Sequence, residues 1–180
     1  MGQTPPRALY LDVWLVVPGG RHTLSMERLP EPSLVVLRAL SREELEALEG
    51  DVAPPGLILN PAYRISWWIS PLLRGVEDPE NYAPFVVLRA SDHLVIGRLS
   101  IEPKLKPPVI SMVEICDALK RHGFGRAAIG AALDLFRARS DVLAVRAVIL
   151  HGNIPSERAF AACGFMRTGE KDGQIWEWRR

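Results

Sequence analysis

From residue 109 onward the chain alternates β-rich apolar runs with helical patterns. The two strand-to-helix junctions in that run constrain the fold more than anything else in the sequence. The first junction is Lys120-Arg121-His122-Gly123-Phe124-Gly125-Arg126. Residues 109–115 ahead of it are apolar-rich. Residues 127–139 after it read as a helix with Ile129, Ala132, Leu133 and Phe136 on one face. A glycine-rich turn at a helix start leaves backbone N–H groups without partners at the positive end of the helix dipole. The natural guest of such a corner is a phosphate. Gly123 and Gly125 carry no Cβ and would let the backbone close on it. Two other phosphate motifs fail here: the dinucleotide G-x-G-x-x-G would need glycine at Ala128, and a Walker loop needs G-K-[ST] after four residues. Taken alone, the two glycines fit a plain tight turn with exposed charges better than a phosphate site.

The second junction adds a constraint of its own. Residues 145–150 are β-rich, and Asn153-Ile154-Pro155-Ser156 follows, with Asn153 suited to a helix N-cap and Pro155 tolerated only in a first turn. Gly164 fits the left-handed position that closes such a helix. Together the two segments resemble the GNAT superfamily of N-acetyltransferases. That family carries [RQ]-x-x-G-x-[GA], then N-x-x-[AS]-x-x-x-[YF]-x-x-x-G-F near the C-terminus. The first motif is here Lys120-x-x-Gly123-x-Gly125, with lysine in place of arginine or glutamine. The second runs from Asn153 through Ser156 and Phe160 to Gly164-Phe165. The resemblance covers residues 84–180 well and the first half only loosely. Its flavour is that of the subgroup acetylating ribosomal-protein N-termini.

A length of 180 residues fits a single domain with a substantial core. Within it, residues 1–30 form an N-terminal addition and 84–180 the cofactor-binding core. A net charge of +1 gives no reason to expect nucleic acid or an anionic membrane as partner. No apolar run reaches the ~18–20 residues that span a bilayer, and no secretory leader is legible. Cys116 and Cys163 are too few for a disulfide framework or zinc site, and His22, His93, His122 and His151 show no ligand spacing, so no metal is expected. A reducing cytoplasm is the expected compartment.

Along the first half, residues 8–17 read as a strand, and Pro18-Gly19-Gly20 as a turn folding 21–26 back. Residues 33–40 read as a strand, and Ser41-Arg42-Glu43-Glu44 as a capping box opening a helix that ends near Gly50. Asn60-Pro61 signals another helix start, carrying Tyr63, Trp67 and Trp68 until Pro71 ends or kinks it. One of these tryptophans is a candidate wall of an acceptor pocket. Residues 85–90 and 94–101 form a hairpin about Ser91-Asp92-His93, and Lys171-Asp172-Gly173 turns into a last strand at 174–178. Antiparallel hairpins leading into β-α-β-α-β imply an α/β chain of mixed α+β type. Its central sheet would be mostly antiparallel with helices on both faces, and the resemblance adds a splayed strand pair that binds the cofactor.

The resemblance implies acetyl-CoA as co-substrate and a primary amine as acceptor, joined by direct attack in a ternary complex. It implies that the amides of residues 121–126 (Arg121, His122, Gly123, Phe124, Gly125, Arg126) hold the diphosphate, with charge from Lys120, Arg121 and Arg126. Val113 and Ile115 would offer backbone groups to the pantetheine arm, Asn153 a side-chain contact to it, and the N–H near Val113 a donor to the thioester oxygen. Phe160 stands where many members carry a tyrosine that protonates the thiolate, and phenylalanine has no hydroxyl to do so. Ser156, in the N-x-x-S of the ribosomal subgroup, becomes the candidate partner of the sulfur. The base is open: a common glutamate position falls near Val109, and Glu114, Glu102 and His151 are the ionisable candidates. Cys163 reads as a packed small hydrophobe. A homodimer is left open, as is a coenzyme-binding module without catalysis.

Overall fold

The computed structural model describes residues 34–65, 69, 70, 73 and 82–180. The expected hairpin at 8–26, and Trp67, Trp68 and Pro71, lie outside the described residues. Seven strands form one sheet: β1 (Val35–Ala39), β2 (Ala83–Arg89), β3 (Val95–Glu102), β4 (Val109–Ile115), β5 (Ala144–Ile149), β6 (Met166–Glu170) and β7 (Gln174–Arg179). Their spatial order is β1-β2-β3-β4-β5-β7-β6. Every neighbouring pair is antiparallel except β4–β5.

Three helices are described in full: α1 (Arg42–Glu49), α2 (Phe124–Arg137) and α3 (Ile154–Ala161). The two faces of the sheet are covered unequally. On one, α2 and α3 pack Ala128, Ile129, Ala132, Leu133, Phe136 and Phe160 onto Leu99, Ile110, Val145 and Ala147. The other face carries a smaller cluster, in which Leu45 and Leu48 of α1 meet Tyr63, Ile65 and Ile69 over Val86, Leu88 and Val95. β3 is buried from Val95 to Ile101 because both clusters press on it, and central strands covered twice read as continuous apolar runs.

Local chemistry explains most boundaries. α1 opens on the reciprocal Ser41–Glu44 capping box and closes at Gly50, as the sequence predicts. The hairpin turn at residues 90–94 is fixed by Arg89, which grips Asp92 through two hydrogen bonds of 2.9 and 2.6 Å. That guanidinium pulls the Asp92 carboxyl below the usual carboxylate range, to about 2. Two expectations need correction. α2 starts at Phe124, three residues before the predicted 127, because Gly123 itself supplies the turn into the helix. The helix expected from Pro61 does not form through Ile65. Asn60 Oδ1 accepts from the Ala62 N–H at 3.0 Å and Asn60 O from the Tyr63 N–H at 2.9 Å. That Asx-type turn competes with a helix for the same donors, and it sends Tyr63 and Ile65 into the core.

Candidate active site

The end of β4 meets the start of α2 through a short 3-10 turn, Asp117–Leu119, and the predicted glycine corner. Arg121 adopts φ 66° and Gly123 φ 85°, so the chain reverses twice within three residues. α2 has no side-chain cap, whereas Ser41 caps α1 and Asn153 caps α3. The N–H groups of residues 121–126 donate to no acceptor among the described residues. They sit at the positive end of a 14-residue helix.

Gly125 is informative because nothing among the described residues demands it. A Cβ there would meet only Ile115 Cγ1, at 3.9 Å, an ordinary contact. Its backbone shows no positive φ. No described side chain therefore crowds the bare backbone, which suits an anion cradle. Of the cations, Lys120 pairs with Asp117 at 2.5 Å, and Arg121 and Arg126 are exposed. His122 Nδ1 lies 2.8 Å from Lys120 O.

β4 and β5 pair for just two register positions, Val109↔Arg146 and Ile110↔Ala147, and then part. The register of β4 on β3 decides what the gap exposes. Cys116 N–H donates to Ile96 O at 2.7 Å, so this is a hydrogen-bonded position. Alternation along an antiparallel ladder then commits Glu114 and Met112 to β3. The N–H and C=O of Val113 and Ile115 are turned to the β5 side, where no strand among the described residues pairs with them. β3 and β4 are drawn close here: a Cβ on Gly97 would lie 2.0 Å from Glu114 O, so only glycine fits.

No family model matches the chain, and no curated protein is significantly similar in sequence. Solved structures do match. The aminoglycoside acetyltransferase AAC(6')-Ib, in complex with coenzyme A, is 19% identical with a TM-score of 0.58, covering 81% of this chain and 95% of that one. The ribosomal-protein-S5-alanine acetyltransferase from Vibrio fischeri is 18% identical with a TM-score of 0.57, covering 83% and 94%. A chimera of the spermidine N-acetyltransferase SpeG from Vibrio cholerae and hSSAT is 18% identical with a TM-score of 0.57, covering 82% and 96%. The chain shares the fold of these acetyltransferases.

Within this GNAT fold the remaining candidates separate by position. Because β4 and β5 are parallel, their C-terminal ends share one edge, where the N-termini of α2 and α3 also lie. Ligands of α/β sheets collect at such ends. Asn153 Oδ1 accepts from the Ser156 N–H at 3.3 Å, which leaves the Asn153 amide NH₂ free to donate outward. Ser156 is half-buried in the first turn of α3. The Phe160 ring is buried edge-on against Phe165, 5.0 Å between centroids, which makes it part of the core. Glu102 pairs with Val109 at the opposite end of β4, roughly 13 Å along the strand from Val113 at ~3.3 Å per residue. His151 is exposed after β5. Burial raises the Cys163 thiol, and its Sγ lies 3.4 Å from Arg126 O, as suits a packing residue.

Glu114 keeps company that the sequence did not reveal. Its Oε2 accepts from Arg98 Nε at 2.8 Å and from the Tyr63 hydroxyl at 3.3 Å. Burial, and then the Glu114 charge, push the Tyr63 phenol well above its ordinary range, so it stays a donor. The Arg98 side chain is 10% exposed and that of Glu114 33%. Breaking a fully buried pair costs about 3–5 kcal/mol, less where one partner is this open to solvent. A charged residue inside the apolar run 94–101 was the one available signal for this cluster. On the same face, the Ser100 hydroxyl is buried without a hydrogen-bond partner. Among the described residues, no group of three His, Cys, Asp or Glu could hold a metal, and no helix is long and apolar enough to cross a membrane.

Proposed function

We propose that this protein is an acetyl-CoA-dependent N-acetyltransferase acting on a primary amine of a small molecule or a protein N-terminus. One observation carries the reading. The β4–β5 ladder stops after two positions, and beyond that stop the unpaired edge of β4 leads straight to an uncapped helix start. A strand edge offering N–H and C=O groups suits the amides of a pantetheine arm. An uncapped helix start behind Gly125 suits a diphosphate. The chemistry of these residues therefore suits acetyl-CoA.

In this reading the amides of residues 121–126 hold the diphosphate and Val113 and Ile115 the arm, with Asn153 donating to it from α3. The acceptor, as neutral amine, attacks the thioester carbon. The carbonyl oxygen gains negative charge, which the Val113 N–H stabilises. The C–S bond breaks, the thiolate leaves beside the Ser156 hydroxyl, and the amine proton departs to water. Of the two strand carboxylates, Glu114 lies at this end of β4 and Glu102 at the far one.

A second reading, a coenzyme-binding module without turnover, is favoured by Phe160, whose buried ring gives the sulfur no proton. Calorimetric titration with acetyl-CoA, followed by thiol release with a panel of amines, separates the two. Binding with amine-dependent release supports the enzyme, binding alone supports the module, and no binding refutes both.

A further inference from the structure

The face of the sheet opposite α2 and α3 bears on which amine the proposed site would accept, an inference that rests on the acetyl-transfer reading. Behind the β4–β5 gap, α2, α3 and the turn that follows α3 fill the space with Ala128, Ile129, Phe160 and Phe165. An acceptor must therefore approach from the opposite face. Side chains alternate along a strand, so Met112 and Glu114 of β4 share that face with Arg98 and Tyr63. Val148 of β5 lies there across the gap, its neighbours Ala147 and Ile149 being buried on the helix side.

Glu114 is tethered by Oε2 alone. Its Oε1 accepts from no described residue, and a third of the side chain is open. Met112 and Val148 are exposed, Val148 by 51%, and Val148 pairs with half-buried Ile175 of β7. Two residues before Val148, Arg146 occupies the same face, and Arg179 lies beyond it on β7. Both guanidiniums bind the Glu177 carboxylate, at 2.9 and 2.5 Å. That carboxylate is buried, with one arginine on each oxygen. Among the described residues this face thus offers one open carboxylate oxygen, an apolar strip, and then two cations.

We propose that the acceptor is a monoamine, its single ammonium group held on Glu114 Oε1 and its uncharged, apolar body laid across Met112 and Val148. Among the described residues a polycation would find one open carboxylate for several charges and would carry the rest towards Arg146 and Arg179, where like charge repels. Glu114 orients the nitrogen, and the proton leaves the bound ammonium to water before attack.

The test compares steady-state kinetics of hexylamine, phenethylamine and an uncharged alanyl peptide amide with those of spermidine and kanamycin at fixed ionic strength. Monoamines should show kcat/KM at least about tenfold higher. Glu114→Gln keeps an oxygen for Arg98 but loses the charge. It should raise the monoamine KM about tenfold or more, with kcat and acetyl-CoA affinity changed by less than about threefold. Should that variant fail to fold, Val148→Glu at an exposed position stands in, and it should move the preference towards spermidine about tenfold. Wild-type preference for spermidine would overturn the proposal. So would an unchanged amine KM in Glu114→Gln, or no shift in Val148→Glu. A collapse of kcat at unchanged KM, with loss of one limb of the pH profile, would make Glu114 the base and also overturn it. A chain that binds no acetyl-CoA defeats the acetyl-transfer reading first, and this one with it.

Discussion

Replacing Gly125 by alanine separates a ligand-dictated glycine from a fold-dictated one. The new methyl would find Ile115 Cγ1 at 3.9 Å and nothing nearer. Position 125 is the second residue of α2 and shows no positive φ. Alanine is a better helix former than glycine by up to about 1 kcal/mol, and it also restricts the unfolded chain. The variant should therefore match or exceed the parent, by about 0.5–1 kcal/mol in urea denaturation. Coenzyme binding should move the other way, because the methyl points into the space where a diphosphate would rest on the amides. A tenfold loss, about 1.4 kcal/mol, is the least expected in calorimetry. Gly123→Ala is the control: at φ 85° a Cβ costs about 1–2 kcal/mol, so that variant should lose stability as well as binding. A Gly125→Ala protein that binds coenzyme as tightly as the parent would refute the cradle. One that unfolds would refute the packing argument.

Three further outcomes follow from single side chains. Ser156→Ala should lower kcat about tenfold or more while leaving acetyl-CoA affinity within about twofold, and equal turnover would remove Ser156 from the mechanism. Ser100→Ala removes a buried hydroxyl that has no partner; stability should hold or rise by up to about 1 kcal/mol, and a loss above that would mean the hydroxyl is satisfied. Asp92 has its carboxyl held down to about 2 by Arg89, so its contribution is complete above the ordinary value near 4 and is lost as pH falls from about 4 to about 2. Asp92→Asn should flatten stability over that window, and an unchanged acid limb would show the Arg89 contact to be inert.

The sequence by itself determined what depends on neighbours along the chain. The capping box at Ser41, the Asn153 cap with Pro155 behind it, and the left-handed Gly164 each rest on a few consecutive residues and are met in the structure. So is the amphipathic face of α2, since helical periodicity is a local signal. The glycine corner was legible for the same reason. Where local signals competed, the reading failed: Asn60-Pro61 has the chemistry of a helix start and of an Asx turn alike. The demand for Tyr63 and Ile65 in the core decided between them.

Register and pairing belonged to tertiary structure alone. Nothing in residues 109–115 says that β5 leaves after Ile110, or that Val113 and Ile115 face the gap while Glu114 faces β3. Arg98, Glu114 and Tyr63 meet from three segments, the hydroxyl and its carboxylate standing 51 positions apart in the chain. Pairwise chemistry at that separation has no periodicity to read; it exists only once the sheet has fixed which side chains share a face.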